Sequence, residues 1–125
     1  MTDAAAVVRP SFRREDARGM FVEVLNGPSW PCVIHGRMHE GAVMGNHYHA
    51  RTEVFFYLTG GRADIVSLTR ATGERSSCTI GADEGMRLGP GVAHAIRFLE
   101  ESTFILLKSE RYDPAAPDTF EQRVL

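Results

Sequence analysis

Hydrophobic and polar residues alternate along much of the chain, in short runs that Gly and Pro interrupt. Such alternation predicts β-strands with one buried face, and closely spaced Gly and Pro predict tight turns rather than long helices. The strand-like runs are spread over the whole sequence, at 20–25, 32–40, 46–49, 53–59, 62–69, 76–80, 86–88, 94–99 and 103–108. We therefore predict an all-β protein, a sandwich or small barrel.

Two segments carry hairpin signals, in which a polar turn with Gly separates two strand-like runs. The turns lie at 16–19 and at 70–74. We predict that residues 1–11 form an N-terminal arm, which is either loose or an edge strand that packs on a partner subunit. Residues 12–125 are predicted to form a single domain. The tail from Tyr112 contains Pro and has no clean periodicity, so we expect it to form a strap.

The composition argues against several classes of protein. The chain has 125 residues, 43% hydrophobic and 24% charged, with a formal net charge of −2, which fits one globular domain and gives no basic face for nucleic acid. No apolar run approaches the roughly 20 residues of a membrane helix, and no leader pattern is visible at the start. We expect a cytoplasmic protein that binds neither membrane nor nucleic acid. Cys32 and Cys78 lack CxxC spacing and are expected to be reduced thiols.

The candidate chemistry lies around two closely spaced histidines. His47 and His49 are two residues apart, so on a strand they share a face, and a short bend brings Glu53 back to that face from the next strand. His94 lies on a separate later strand and is the candidate fourth ligand. These side chains suit a divalent transition metal, with Zn ahead of Mn, Fe, Ni or Co. The alternative is a metal-free pocket in which His47 or His49 is the catalytic base.

Strand parity adds further candidate site residues. Tyr57 has the parity of Glu53 and is expected to face the same pocket as a catalytic base. His35, Arg37 and His39 share one face of another strand. That face either lines the mouth of the pocket, with His39 as a base and the other two as substrate contacts, or lies in solvent.

The same residues fall into recognisable motifs. The fixed points of 41–60 read G-x5-HxH-x3-E-x6-G and 90–94 read PGxxH; together they resemble the two cupin motifs. The run 16–23 is similar to the DxRGxFxE element of sugar-nucleotide cupins, a family that includes dTDP-dehydrorhamnose epimerases. The run 45–49 resembles the RGNHYH core of sugar ketoisomerase-like cupins and of the C-terminal cupin domain in bifunctional capsular polysaccharide reductase/epimerases, and 112–120 resembles the closing segment of that domain.

This resemblance implies a cupin jelly roll, that is a double-stranded β-helix, with the metal ligands inside it. It implies a nucleotide-sugar epimerase or ketoisomerase that removes a proton next to the ketone of a 4-keto-6-deoxy sugar, in surface-polysaccharide or natural-product biosynthesis. It also implies that Arg18 and Glu23 contact the sugar or the diphosphate. Two positions depart from the motifs: Met44 stands in place of the Arg of RGNHYH, and Phe98 in place of an Asn in the second cupin motif.

Three other functions stay open at this point. They are an Fe(II)-dependent cupin dioxygenase, a polyketide-tailoring cupin and a non-enzymatic module that binds a metal or a small ligand. Oxygen uptake would mark the first, and solvent exchange at a substrate carbon would argue against the last. We also expect a homodimer, because pairing between subunits would protect the edge strands of an open jelly roll.

Overall fold

The computed structural model describes residues 5–27 and 29–125. In that part of the chain the regular elements are β-strands: β1 (Ala5–Val8), β2 (Phe12–Asp16), β3 (Gly19–Glu23), β4 (Cys32–Met38), β5 (Val43–Tyr48), β6 (Val54–Gly60), β7 (Arg62–Thr69), β8 (Glu74–Gly81), β9 (Gly85–Leu88), β10 (Val92–Phe98), β11 (Ser102–Lys108) and β12 (Phe120–Glu121). The all-β prediction is confirmed. No helix among these residues has the length and apolar character needed to cross a membrane.

Ten strands form two antiparallel five-stranded sheets that enclose the core. Sheet 1 has the order β1-β9-β6-β11-β4 and sheet 2 the order β12-β5-β10-β7-β8. Between them lie Phe56, Phe98 and Phe104, whose ring centroids are 6.1, 5.5 and 6.0 Å apart. Truncating such a buried ring to Ala costs about 3–5 kcal/mol, so this cluster holds the two sheets together. The architecture is the predicted jelly roll.

The remaining two strands, β2 and β3, form a separate hairpin with Asp16 opposite Gly19 at its turn. The turn predicted at 16–19 is thus confirmed. Arg13 of the hairpin pairs with Asp83 in the turn between β8 and β9, at 2.9 Å. Because this ion pair is largely exposed, it fixes the position of the hairpin more than it stabilises the fold.

Both ends of the described chain lie on the sheets. The segment Ala5–Val8 pairs with β9 of the same chain, so this part of the expected arm is an edge strand of sheet 1, and the first four residues of the arm lie outside the described residues. At the other end, Val124 packs with Ala93 and Ala95 of β10. The C-terminal tail is therefore a strap over the outer face of sheet 2.

Candidate active site

A cavity of about 280 Å³ opens between the two sheets. Its wall is mostly aliphatic and aromatic, and its polar side chains are three imidazoles and one ammonium group. The lining residues are Ile34, Met38, Met44, Gly45, His47, His49, Val54, Leu88, His94, Ile96, Phe104, Leu106 and Lys108. An apolar cavity with a few convergent polar groups is the usual form of a small-molecule site.

A β-bulge brings His47 into this cavity. Gly45 pairs with Ala95 and His47 pairs with His94, so β5 has one residue more than β10 at this point. The extra residue changes the strand's parity, so that Met44 and His47 line the same cavity although they are three positions apart. Gly45 has φ +96° and a Cβ there would lie 2.7 Å from the His94 carbonyl oxygen, so the bulge requires glycine.

The three imidazoles lie close together and two have a fixed tautomer. Ring centroids are 4.9 Å apart for His47 and His49, 4.9 Å for His47 and His94, and 5.7 Å for His49 and His94. The Nδ1 of His49 lies 2.6 Å from the Asp118 carbonyl oxygen, and that of His94 lies 3.0 Å from the Val92 carbonyl oxygen. A carbonyl oxygen only accepts, so both Nδ1 atoms donate and both Nε2 atoms keep a free lone pair.

All three histidines are held neutral. Burial, with the nearby His49 and Lys108, lowers the pKa of His47 to about 4. Burial also lowers the pKa of His94 to about 4, although the hydrogen bond between its Nδ1 and the Val92 carbonyl oxygen acts to raise this pKa. The pKa of His49 is lowered by the same cause. Near neutral pH the cavity therefore presents uncharged imidazoles that can accept a proton or bind a metal.

The C-terminal strap holds the turn after His49 through one carboxylate. Asp118 accepts hydrogen bonds from the backbone N–H groups of Ala50, Arg51 and Thr52 at 2.9, 2.8 and 2.9 Å, and from the Thr52 hydroxyl at 2.8 Å. Partial desolvation raises the pKa of Asp118, but these hydrogen bonds outweigh it and lower the pKa to about 2. Carboxylate and carbonyl of one residue thus position both the turn and the His49 ring.

Glu53 and Tyr57 point away from the imidazoles, contrary to the sequence-based expectation. Glu53 forms an ion pair with Arg87 on β9, its Oε1 accepting from Nε at 2.7 Å and also from Nη2. Tyr57 is buried and its hydroxyl donates to Asp83 at 3.0 Å. The residue of β6 that lines the cavity is Val54, which lies on the opposite face of the strand from Glu53 and Tyr57. The expectation that Glu53 returns to the face of His47 and His49 is thus wrong in this structure.

The polar face of β4 also lies outside the cavity. His35, Arg37 and His39 are exposed, and the last two lie 3.7 and 3.6 Å from Glu101. The predicted alternation is correct, since Met38 of the same strand lines the cavity. Of the two alternatives for this face, the structure has the solvent-exposed one, so none of the three is placed to act as a base or to bind substrate in the cavity.

The hairpin residues taken from the resemblance, Arg18 and Glu23, are likewise not among the residues that line the cavity. Arg18 bonds Asp16 through Nε and Nη2 at 3.3 and 2.8 Å, with its side chain 82% exposed. Glu23 accepts a hydrogen bond from the Ser11 hydroxyl at 2.9 Å. Within one chain, these side chains are engaged with their own hairpin.

Two residues of the site were not singled out from the sequence. Lys108 lines the cavity at the end of β11, and as the only lysine of the chain it could have been marked as a possible active-site cation. Asp118 acts mainly through backbone groups 66 to 69 residues away. No pattern among neighbouring residues predicts such a long-range contact.

His47, His49 and His94 fit a divalent metal as a set of three ligands. One ring nitrogen from each lies within 4.8 Å of the others, and the carbonyl bonds to two Nδ1 atoms are the outer contacts that orient metal-binding imidazoles. Three neutral nitrogens with open positions suit catalytic Zn. Glu53, the carboxylate ligand expected from the sequence beside His47 and His49, is engaged by Arg87 instead.

The model of a known family covers most of the chain. It describes the polysaccharide biosynthesis C-terminal domain and matches residues 14–120. The chain belongs to this family. The match contains β3 to β11 and with them all three imidazoles, so the matched region includes the residues that line the cavity. Among curated proteins, none matches the chain significantly.

Solved structures of sugar-nucleotide cupins share the fold. The dTDP-4-dehydrorhamnose 3,5-epimerase from Sulfolobus tokodaii is 21% identical with a TM-score of 0.78, over 92% of this chain and 76% of that one. The 3,4-ketoisomerase QdtA from Thermoanaerobacterium thermosaccharolyticum is 18% identical with a TM-score of 0.80, over 98% and 90%. The resemblance to sugar-nucleotide cupins is thereby confirmed for the fold.

The capsular polysaccharide assembling protein CapF from Staphylococcus aureus is a longer relative. It is 26% identical with a TM-score of 0.71 over 90% of this chain. The match covers only 32% of the CapF chain, so this chain corresponds to one part of that protein.

Proposed function

We propose that the chain is an isomerase that moves a proton next to the ketone of a nucleotide-linked keto sugar. One observation carries the proposal: neutral imidazoles with free Nε2 atoms converge in a mostly apolar cavity. A neutral imidazole in such a place is a general base near neutral pH. The sugar-nucleotide class is supported by the similar structures, one of which contains TDP-4-keto-6-deoxyglucose.

The reaction balances with this chain's own groups. His49 takes the proton from the carbon next to the ketone through Nε2, and the C–H electron pair moves to the carbonyl oxygen as an enolate. Lys108 lines the same cavity, and its ammonium charge stabilises that oxygen in a medium of low dielectric constant. In epimerisation, water or a second group in the cavity delivers a proton to the opposite face of that carbon, and His49 releases its proton to solvent. In ketoisomerisation, the hydroxyl proton on the deprotonated carbon moves to the enolate oxygen, and His49 returns its proton to the former carbonyl carbon, so that the hydroxyl carbon becomes the new ketone. Neither outcome needs an oxidant.

A divalent metal is a second element of the proposal. His47, His49 and His94 would hold it, and when bound it would supply a Lewis acid. The same nitrogen cannot bind a metal and take a proton. Metal-stripped and Zn-loaded protein must therefore be compared, and His49 is the base only in the stripped form.

Deuterium incorporation from heavy water tests the reaction directly. The substrates are a panel of nucleotide-linked 4-keto-6-deoxy sugars, read by mass spectrometry with wild-type protein, His49→Gln and His35→Gln. We expect exchange by wild-type protein, a loss of about 10²–10⁴-fold in His49→Gln, as for removal of a general base, and no change in His35→Gln. His35 is the matched control because it is an exposed imidazole outside the cavity.

Other outcomes would reject parts of the proposal. Absence of exchange with every sugar, metal-loaded or stripped, would remove the isomerase function and favour oxygen chemistry or simple binding. Exchange that survives in His49→Gln but not in His47→Gln would move the base to the neighbouring ring. Exchange that depends on Glu53 would contradict the geometry, since Arg87 engages that carboxylate.

We propose further that two chains associate. β4 is an edge strand of sheet 1 and exposes Val33 and Ile34 by 67% and 39%. Exposed apolar edge strands are usually covered by another chain. Light scattering across a range of concentrations is expected to give the mass of a dimer, and a constant monomer mass would reject the association.

A further inference from the structure

A second, polar cavity adjoins the imidazole cavity and shares two residues with it. Its volume is about 90 Å³, and His49 and Lys108 line both spaces. Arg51 and Arg111 complete its cationic side. Three of the chain's 14 Lys and Arg residues therefore surround one small space next to a candidate base.

These three cations have no carboxylate partner of their own. Among the described residues, no ion pair within 4 Å involves Arg51, Lys108 or Arg111. Two carboxylates do line the same space. Asp118 is occupied by three backbone N–H groups and a hydroxyl, and Asp113 accepts from the N–H of Ala115. The cations are left available for an external anion.

Among the described residues, Lys108 is the one cationic side chain that lines the imidazole cavity. Met44 stands where a motif arginine would be expected. Arg18, the other candidate from the sequence, is engaged by Asp16. An anionic substrate that reaches the imidazoles must therefore place its charge at the Lys108 end, where the polar cavity begins.

We propose that Arg51 and Arg111 form an anion subsite that binds the phosphate groups of the substrate beside His49, while Lys108, which lines both spaces, faces the enolate oxygen. Guanidinium groups suit phosphate oxygens because their planar N–H donors bind two oxygens at once. The subsite orients the substrate so that the part beyond the phosphates enters the apolar cavity. This inference rests on the proposed function for its substrate class, a nucleoside diphosphate sugar, but the binding itself requires no reaction.

Calorimetric titration tests the subsite without any turnover. The probes are UDP and dTDP, with inorganic pyrophosphate and the uncharged nucleosides for comparison, on metal-stripped wild-type protein and on the variants Arg51→Gln/Arg111→Gln and Arg97→Gln. Arg97 is the matched control because it is exposed on β10 and lines neither cavity. Both altered arginines in the test variant are exposed, so folding is expected to be intact, and thermal melting checks this.

We expect Kd for the diphosphates to rise at least about tenfold in the double variant, which is the scale of one charged hydrogen bond. Binding to Arg97→Gln stays within about twofold of wild type, as for a distant surface change, and nucleoside binding is equal in all proteins. Unchanged diphosphate binding in the double variant would overturn the subsite, as would loss of binding in an additional variant, Arg18→Gln, titrated in the same way. Absence of diphosphate binding to wild-type protein would overturn it too.

The two proposals can fail separately. Deuterium exchange in the double variant with wild-type Kd for diphosphate would reject the subsite and keep the isomerase. Diphosphate binding that depends on Arg51 and Arg111, without exchange on any sugar, would reject the isomerase and keep the subsite.

Discussion

Replacing Asp118 tests how the strap positions the site. In Asp118→Ala, four hydrogen bonds to a carboxylate disappear. Ala50 and Arg51 are exposed, so water replaces the carboxylate at their N–H groups. Thr52 is only 4% exposed, and its N–H and hydroxyl are left without a partner. At about 1–3 kcal/mol for each of these two groups, we expect a loss of about 2–6 kcal/mol in the free energy of unfolding.

Urea denaturation with linear extrapolation measures this loss. Asp113→Ala is the control, because its carboxylate accepts one hydrogen bond, from Ala115, at an exposed turn; we expect a change within about 0.5 kcal/mol. The pH dependence has a definite sign. A pKa lowered to about 2 gives stability that is complete above pH 3.8 and lost as the pH falls through 2. The difference in stability between wild type and Asp118→Asn should therefore shrink from pH 3.8 downward and be lost near pH 2.

The same variant has a readout at the His49 ring. Nitrogen NMR of wild-type protein is expected to show His49 protonated at Nδ1, since that atom donates to the Asp118 carbonyl. In Asp118→Ala the strap loosens and the two tautomers mix. A variant as stable as wild type and with an unchanged tautomer would refute the positioning role.

Three further predictions concern the bulge, the buried tyrosine and the imidazoles. Gly45→Ala introduces a Cβ at 2.7 Å from the His94 carbonyl oxygen at φ +96°, and is expected to cost about 2–4 kcal/mol in denaturation; Gly73→Ala, with φ +76° and open space, should cost about 1 kcal/mol. Tyr57→Phe removes the hydrogen bond to Asp83 and should lower stability by about 1 kcal/mol while leaving deuterium exchange unchanged; lost exchange would restore Tyr57 as a base. The pKa of His94 falls from 6.5 to about 4 on folding, so stability is complete above pH 6.5 and falls between 6.5 and 4; His94→Gln should flatten this dependence in pH-resolved melting.

The sequence alone was sufficient to predict the fold class and those features that depend on neighbouring residues, namely strand faces, a hairpin turn and the histidine motif. Alternation of period two predicts strands and their faces, as for β4, where the polar and the cavity-lining residues separate as expected. The hairpin turn at Asp16 and Gly19 followed from turn chemistry over four residues. The pair His47 and His49, with His94 on a later strand, was found because motif spacing carries information on ligand geometry.

Tertiary structure decided what parity could not. Glu53 follows a bend in the chain and Tyr57 lies four residues later. The face of the sheet on which they lie therefore depends on the residue at which β6 begins, because a shift of one residue moves every side chain to the opposite face. The bulge at Gly45 changed parity in the same way and brought His47 into the cavity. Asp118, Lys108 and the two arginines reached the site through long-range closure of the strap and sheets. Such contacts depend on how the whole chain packs, which no window of neighbouring residues records.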